Sequence, residues 1–361
     1  MRHTILITGA AGYVGGMLVE QFSARPDVER VIGIDKEPMP EECKTNQKLL
    51  YIKQNVSDEG WEETVQKYHP DIVIHAAWQI RELYGERELE WKWNIEGSDR
   101  VFDLAFSQSC VKRLIHFSTV ASYGAFSSNT TEHLFTEDEP FRKTDYLYAE
   151  EKRICEEHLK EKYERARAKG NAPQVFIVRP SAITGPRGRF AHIRFGLQAA
   201  LSGSLKGRGS PLYNVISFWV SWVPVTPKWL RQYVHEDDVV DIVAALSFNE
   251  NKDSYEAFNL APPGKAVFGP DMARAVGKRT LPIYPWMARL AFFVMWHLTR
   301  GRIPTARGSW KGYSYPVAVD GSKLTKKYGF QYRHNSFDAF YYTDGRYENA
   351  VPETLRRRRS L

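Results

Sequence analysis

Cysteine is scarce. Cys43, Cys110 and Cys155 are the only three in 361 residues, too few and too scattered for a disulfide framework or a zinc site. A reducing, cytoplasmic setting is the expectation that follows. Long apolar runs are lacking as well. Val215–Val225 and Trp286–Leu298 are the most hydrophobic stretches, and both fall short of the roughly 20 residues that a spanning helix needs. The opening MRHTILITGAAGYVGG passes straight into an apolar strand and a glycine turn, leaving no room for a cleavable signal. No internal repeat is visible.

Neither sign of charge dominates. Fifty Lys and Arg against 43 Asp and Glu leave a net charge of +7, which favours anionic ligands or surfaces without choosing among them. The basic excess carries no nucleic-acid motif and the aromatics form no stacking platform, so no nucleic-acid partner is expected. His75, His116 and His235 stand singly, without a carboxylate or cysteine at ligand spacing. They read as structural, and no metal is expected. At 43% hydrophobic and 26% charged residues, the chain has material for a core of one large or two modest domains.

What is present is alternation. His3–Thr8, Arg30–Asp35, Leu50–Asn55, Asp71–Ala76, Lys112–Ser118 and Gln174–Arg179 are near-continuous Ile, Val and Leu runs, as expected of parallel strands covered on both faces. Between them lie amphipathic helices such as Gly12–Phe22, Trp93–Ser107 and Tyr146–Lys169. Repeated strand–helix–strand units predict an α/β fold, a Rossmann-type doubly wound parallel sheet. This dinucleotide-binding domain is expected over residues 1–184. A smaller, mainly substrate-binding region follows over 185–352, with 235–260 returning to the Rossmann core, and 353–361 is a solvated basic tail. In that second half a helix is expected at His235–Leu246, a strand at Ala257–Leu260 and a very apolar helix at Pro282–Leu298. Asp320–Tyr328 with Ser336–Tyr342 forms the last ordered unit.

TGAAGYVG places Gly9, Gly12 and Gly15 after an apolar strand and at the start of a helix. One glycine permits the tight turn, one lets the backbone approach a pyrophosphate, and one lets the helix pack on the strand. The helix tip would then hold the phosphates. A glycine cluster alone also fits an ordinary tight turn, but Asp35 closes VIGID at the spacing of a ribose contact. A carboxylate there accepts from both ribose hydroxyls and repels a 2′-phosphate, favouring NAD over NADP. Lys36 softens that preference.

Several further motifs occur in a telling order: IHAAW at Ile74–Trp78, HFSTVASYG at His116–Gly124, YAEEK at Tyr148–Lys152, VRPSAITGP at Val178–Pro186 and YVHEDDV at Tyr233–Val239. Together with the glycine turn they resemble the extended short-chain dehydrogenase/reductase family, the NAD-dependent epimerase/dehydratase group, from Ile5 to Phe337. The resemblance implies that Gly9, Gly12, Tyr13, Val14, Gly15 and Asp35 hold the dinucleotide. It also implies that Asn55 and Val56 flank the adenine and that Ala76 and Ala77 line the cofactor. Pro180 would stand against the nicotinamide, with Ile183 beside it. Asn94 would bridge a water toward Lys152. Counting back from Tyr123-Gly124 puts Thr119 where the family carries a catalytic hydroxyl, with Ser118 the alternative by one register. Trp78, Ser118 and Arg231 are the substrate candidates, the last standing where relatives hold a diphosphate.

The chemistry also follows from the residues. Tyr148 and Lys152 lie four apart and share one helix face. An ammonium beside a phenol lowers its pKa from about 10 toward working pH, so that it can take a proton from an alcohol as hydride leaves. In isolation such a pair also fits an exposed helix surface. Asn94 fits a helix cap, and Pro180 a loop breaker.

The resemblance thus implies an NAD-dependent epimerase/dehydratase-like enzyme working by hydride transfer at a secondary alcohol or ketone carbon, by family weight of a nucleotide-sugar. A homodimer through Asn94–Ser107 and Tyr146–Lys169 is implied by the same analogy. The apolar stretches Ile216–Val225 and Pro285–Leu298 keep other readings open. They suit a pocket for a steroid- or lipid-like alcohol, a peripheral membrane contact with Arg300, Arg302 and Arg356–Arg359 at the headgroups, or simple core. A non-catalytic dinucleotide-binding sensor or assembly protein is a further alternative, although such proteins usually lose the tyrosine or lysine.

Overall fold

The computed structural model describes residues 2–192, 222–250 and 252–359. The chain divides into two compact units that interleave along the sequence. One comprises Met1–Ser118, Glu150–Arg179 and Val240–Phe258, the other Thr119–Ala149, Pro180–Val239 and Asn259–Leu361.

The first unit is built on the strands β1 (His3–Thr8), β2 (Val28–Asp35), β3 (Leu49–Lys53), β4 (Ile72–His75), β5 (Arg113–Phe117), β6 (Gln174–Pro180) and β11 (Tyr255–Leu260), in the order β11-β6-β5-β4-β1-β2-β3. From β6 to β3 every pairing is parallel. The order reverses at β1, as in a doubly wound sheet. The α/β Rossmann-type expectation is met. β1, β4 and β5 are buried Ile, Leu and Val runs because helices cover both faces.

Helix α1 (Tyr13–Ser23) follows β1, α2 (Trp61–Gln66) follows β3, and α3 (Arg87–Trp91) leads through a π-helical turn, Lys92–Glu96, into α4 (Gly97–Ser107). Helix α5 (Leu147–Ala168) precedes β6. Trp61, Phe102, Leu159 and Tyr163 close over Leu6, Val73, Leu114 and Val175 in one core cluster. Burying each such side chain stabilises the fold by roughly 1.5–3 kcal/mol. The helix expected from Trp93 therefore begins six residues earlier, and Asn94 sits inside its π turn rather than at a cap.

In the second unit β7 (Ala182–Thr184) pairs in parallel with β10 (Tyr233–His235), β8 (Trp222–Val225) in parallel with β13 (Arg279–Pro282), and β9 (Leu230–Arg231) antiparallel with β12 (Val267–Phe268). Helices α6 (Glu236–Phe248), α7 (Gly269–Ala275), α8 (Pro285–Leu298), α9 (Ser322–Tyr328) and α10 (Ser336–Tyr341) complete the described elements. Val223, Trp229, Tyr233, Met272 and Phe340 form its core.

Two expectations change. The basic tail is held rather than solvated. The Arg357 N–H donates to the Thr343 hydroxyl at 2.7 Å, and Arg358 and Arg359 pair with Glu348 and Asp344. Helix α8 is only partly core. Ala288 and Trp296 are buried, while Trp286, Leu290 and Phe293 face outward. Of the companion stretch, Ile216–Ser221 lies outside the described residues, and Val223 and Val225 are buried.

Candidate active site

The glycine turn is as tight as its sequence requires. Gly9 has φ +75°, and a Cβ there would stand 2.7 Å from the Ala77 amide nitrogen. At Gly15 a Cβ would lie 2.0 Å from the Gly9 carbonyl oxygen. Only glycine allows this packing of helix tip on strand. No side chain caps α1 and no acid occupies its first turn, so its positive end suits an anion. Tyr13 and Val14 open the helix, half-buried.

Asp35 ends β2 with its carboxylate held by two backbone N–H groups, Ala11 at 2.9 Å and Glu37 at 3.0 Å. Burial pushes its pKa up, and those two hydrogen bonds oppose the shift. Each carboxylate oxygen keeps a further lone pair for a hydroxyl donor. Lys36 is turned aside: its ammonium donates to the Gln79 amide oxygen at 3.2 Å and lies 3.9 Å from the Trp93 ring centroid.

The Ala77 N–H donates to the Thr8 hydroxyl, and Ala76 follows β4 against the same strand end. Asn55 folds back on Ser57, and Val56 is buried in the core beside Gly97. The Trp78 indole nitrogen and Ser118 hydroxyl are buried without a partner among the described residues. They are polar atoms that a bound polar ligand would satisfy. The turn, the carboxylate and these orphaned groups fit a dinucleotide.

Asn94 departs from expectation. Its amide oxygen accepts from the Gln79 N–H at 2.7 Å, while its NH2 donates to the Gln79 carbonyl at 3.2 Å and to the Glu151 carboxylate at 2.7 Å. This side chain clamps the strand-four loop to α5. Glu151 was not anticipated. It is fully buried, and burial pushes its pKa up to about 7, with Glu90 adding to the rise.

Lys152 is buried too. Its ammonium donates to the Phe117 carbonyl and lies 3.5 Å from the centroid of the Trp78 ring. Burial pulls its pKa down to about 7. One turn back on α5, the Tyr148 phenol stands beside the Thr119 hydroxyl, and Tyr146 packs 5.7 Å away between centroids. Burial pushes Tyr148 above its ordinary value, the Thr119 hydroxyl opposes this, and Lys152 spends its charge on Phe117 and Trp78. Thr119 also accepts from the Ala121 N–H at 3.2 Å, starting the turn Val120–Tyr123.

Pro180 closes β6, and Ile183 pairs with Val234 between β7 and β10. Arg231 lies 4.7 Å over the Tyr313 ring. Burial opposes its charge, but Tyr313, Tyr233 and Tyr146 outweigh it and hold the guanidinium firmly protonated.

Two positioning groups had no sequence signal. The Glu236 carboxylate accepts from the Arg187 and Gly188 N–H groups, both at 2.9 Å, and fixes the loop after β7. Gly308, at φ +81°, packs so closely that a Cβ would meet the Tyr146 nitrogen at 2.6 Å. Nearby, Lys311 pairs with Asp145 at 2.6 Å. Both contacts brace the residues just ahead of Tyr148. His75, read as structural, is fixed by the Thr8 and Ser98 hydroxyls and stacks on His116; burial lowers its pKa to about 3.

Comparison with known proteins follows this geometry. The chain is 26% identical over 189 residues to the N-acetyl-alpha-D-glucosaminyl-diphospho-ditrans,octacis-undecaprenol 4-epimerase of Escherichia coli O157:H7, covering 52% of this chain and 51% of that one. It is 25% identical over 248 residues to the UDP-glucose 4-epimerase of Mycolicibacterium smegmatis, covering 65% and 70%. Against uncharacterised mycobacterial relatives it spans only 37% of their length. Among solved structures, the Bordetella bronchiseptica enzyme WbmG in complex with NAD and UDP superimposes with a TM-score of 0.68 at 21% identity, covering 94% and 92%. The Thermotoga maritima UDP-glucose 4-epimerase with UDP-glucose gives 0.66 at 20%, covering 93% and 96%. These likenesses carry the fold. Residues 5–261 match the profile of one family over well more than half the chain, and the chain belongs to that family, the NAD-dependent epimerase/dehydratase family.

Proposed function

We propose that this protein is an NAD-dependent enzyme of the extended short-chain dehydrogenase type that transfers hydride at a carbinol or ketone carbon of a nucleotide-sugar, with epimerase/dehydratase chemistry. The observation that carries this reading is the Tyr148 phenol standing beside the Thr119 hydroxyl, with Lys152 one turn further along the same helix. Gly9, Gly12, Tyr13, Val14 and Gly15 hold the pyrophosphate, and Asp35 accepts from the ribose hydroxyls. Lys36, committed to Gln79 and Trp93, is not free for a 2′-phosphate, which supports NAD over NADP. NAD supplies the hydride acceptor and donor when bound.

The chain's own residues handle the proton. Thr119 positions the substrate oxygen. Tyr148 as the phenolate takes the alcohol proton while hydride leaves the carbinol carbon, and as the phenol it returns that proton to the ketone oxygen when hydride comes back. Lys152, poised near neutrality, places a positive charge on the phenol's face of α5 when protonated. Arg231, held charged among tyrosines, suits a diphosphate.

A second reading, a sugar carried on a polyprenyl diphosphate, is favoured by the activity named for the E. coli relative and by the outward apolar face of α8. A homodimer through α4 and α5 remains part of this proposal by analogy with the family. A reducing, cytoplasmic setting is supported by Cys43, Cys110 and Cys155 forming no disulfide.

The test is turnover of UDP-sugars and of undecaprenyl-diphospho-sugars by wild type and Tyr148→Phe, following product by mass and NMR. The substitution is expected to lower turnover on the order of 10³-fold while leaving NAD binding in place. Turnover with no net rise in reduced nicotinamide marks epimerisation, whereas stoichiometric reduction marks a dehydrogenase. Undiminished turnover removes Tyr148 from the mechanism.

A further inference from the structure

Helix α8 has two apolar faces. Its inner face is ordinary, with Ala288 and Trp296 buried and Phe292 edge-on to Tyr313 at 5.2 Å. The outer face is the one that a soluble helix makes polar. Here it carries Trp286, Met287, Leu290, Phe293, Val294 and Leu298, spaced to fall on one side of the helix. Trp286 is 64% exposed, Phe293 61% and Leu298 77%. Contiguous exposure on this scale marks a surface built to meet something.

The charge around it names the partner's chemistry. Between Met272 and Val319 the sequence has eight lysines and arginines and no aspartate or glutamate. Arg289 projects beside the apolar ridge, and Arg300 and Arg302 follow its C-terminal end, all exposed. A protein partner burying such a ridge would not require the whole surrounding segment to lack acids; a negatively charged headgroup layer would. With 14 residues, α8 is far too short to cross a bilayer, but it suits lying in the interfacial plane.

We propose that α8 is a peripheral membrane-docking ridge, with Trp286, Leu290, Phe293 and Leu298 entering the acyl boundary of an anionic bilayer and Arg289, Arg300 and Arg302 meeting its headgroups. Docking of this kind keeps the protein on the surface where lipid-borne substrates or products reside. It does not depend on the catalytic reading, because none of these residues belongs to the proposed active site.

The test is flotation of the full-length protein with vesicles of phosphatidylcholine alone and of phosphatidylcholine with phosphatidylglycerol. Binding is expected only with the anionic vesicles, weakening as salt is raised. Leu290→Ser/Phe293→Ser should abolish flotation with an unchanged circular dichroism spectrum and thermal midpoint, since both side chains are exposed. Arg300→Glu/Arg302→Glu should weaken partitioning by about fivefold or more per charge reversed. Absence of binding to anionic vesicles overturns the proposal. So does binding that survives the serine pair. A concentration-dependent dimer lost in the serine pair, without vesicle binding, assigns the ridge to a second copy instead and equally overturns it.

Discussion

The Asn94 side-chain amide donates to the Glu151 carboxylate at 2.7 Å, in the interior of the first unit. The adjacent residue on α5 is Lys152, so one buried hydrogen bond fixes the helix turn from which the lysine projects. The other carboxylate oxygen of Glu151 has no partner among the described residues, which suits a protonated acid.

A pH signature follows from that carboxyl. Its folded pKa of about 7 exceeds the ordinary 4.5, so the native chain holds the proton longer than the unfolded one. Stability contributed by the neutral form is complete below pH 4.5 and is lost as pH rises toward 7, by about 3 kcal/mol across the window. Glu151→Gln imitates the protonated form. Denaturant unfolding should therefore show the variant gaining on wild type between pH 5 and 7.5, and parallel curves would exclude titration of Glu151 in that range.

Asp35→Ala removes the acceptor at the end of β2 and strands the Ala11 N–H. NAD affinity is expected to fall on the order of tenfold, and the preference for NAD over NADP to shrink. Isothermal titration with both dinucleotides measures this. An unchanged ratio would detach Asp35 from the ribose.

Thr119 serves both the Tyr148 phenol and the Ala121 N–H. Thr119→Val keeps the shape and loses the hydroxyl, so turnover should drop by about two orders of magnitude. Stability should fall by about 1 kcal/mol from the lost cap. Thr119→Ser should restore both. Rescue of stability without rescue of turnover would confine the residue to a capping role.

Gly308→Ala tests the brace ahead of α5. The left-handed backbone costs a residue with a Cβ about 1–2 kcal/mol, and the contact with Tyr146 adds to it. A clear fall in thermal midpoint and a lower kcat are expected together. Full activity at wild-type stability would show that the Tyr146 backbone is free to move.

Legibility in the sequence tracked distance along the chain. Gly9, Gly12, Gly15 and Asp35 could be read because strand, turn, helix and acid fall within some 30 residues and obey one local geometry. Tyr148 and Lys152 could be paired because a helix repeat relates them. Gly308 beside Tyr146, Glu236 on the Arg187 loop, and Asn94 on Glu151 could not. Each joins residues 48 to more than 160 apart, and no periodicity connects them.

By itself, the amino-acid order determined the alternation of strands and helices, the dinucleotide turn and the tyrosine–lysine spacing, since short-range sterics and hydrophobic periodicity decide these. Tertiary structure alone decided protonation and exposure. Burial pushes the Tyr148 pKa up and brings those of Lys152 and Glu151 to about 7. It also turned one face of α8 outward. Desolvation and accessibility depend on what other segments pack around a side chain, and that is set only when distant parts of the chain come together.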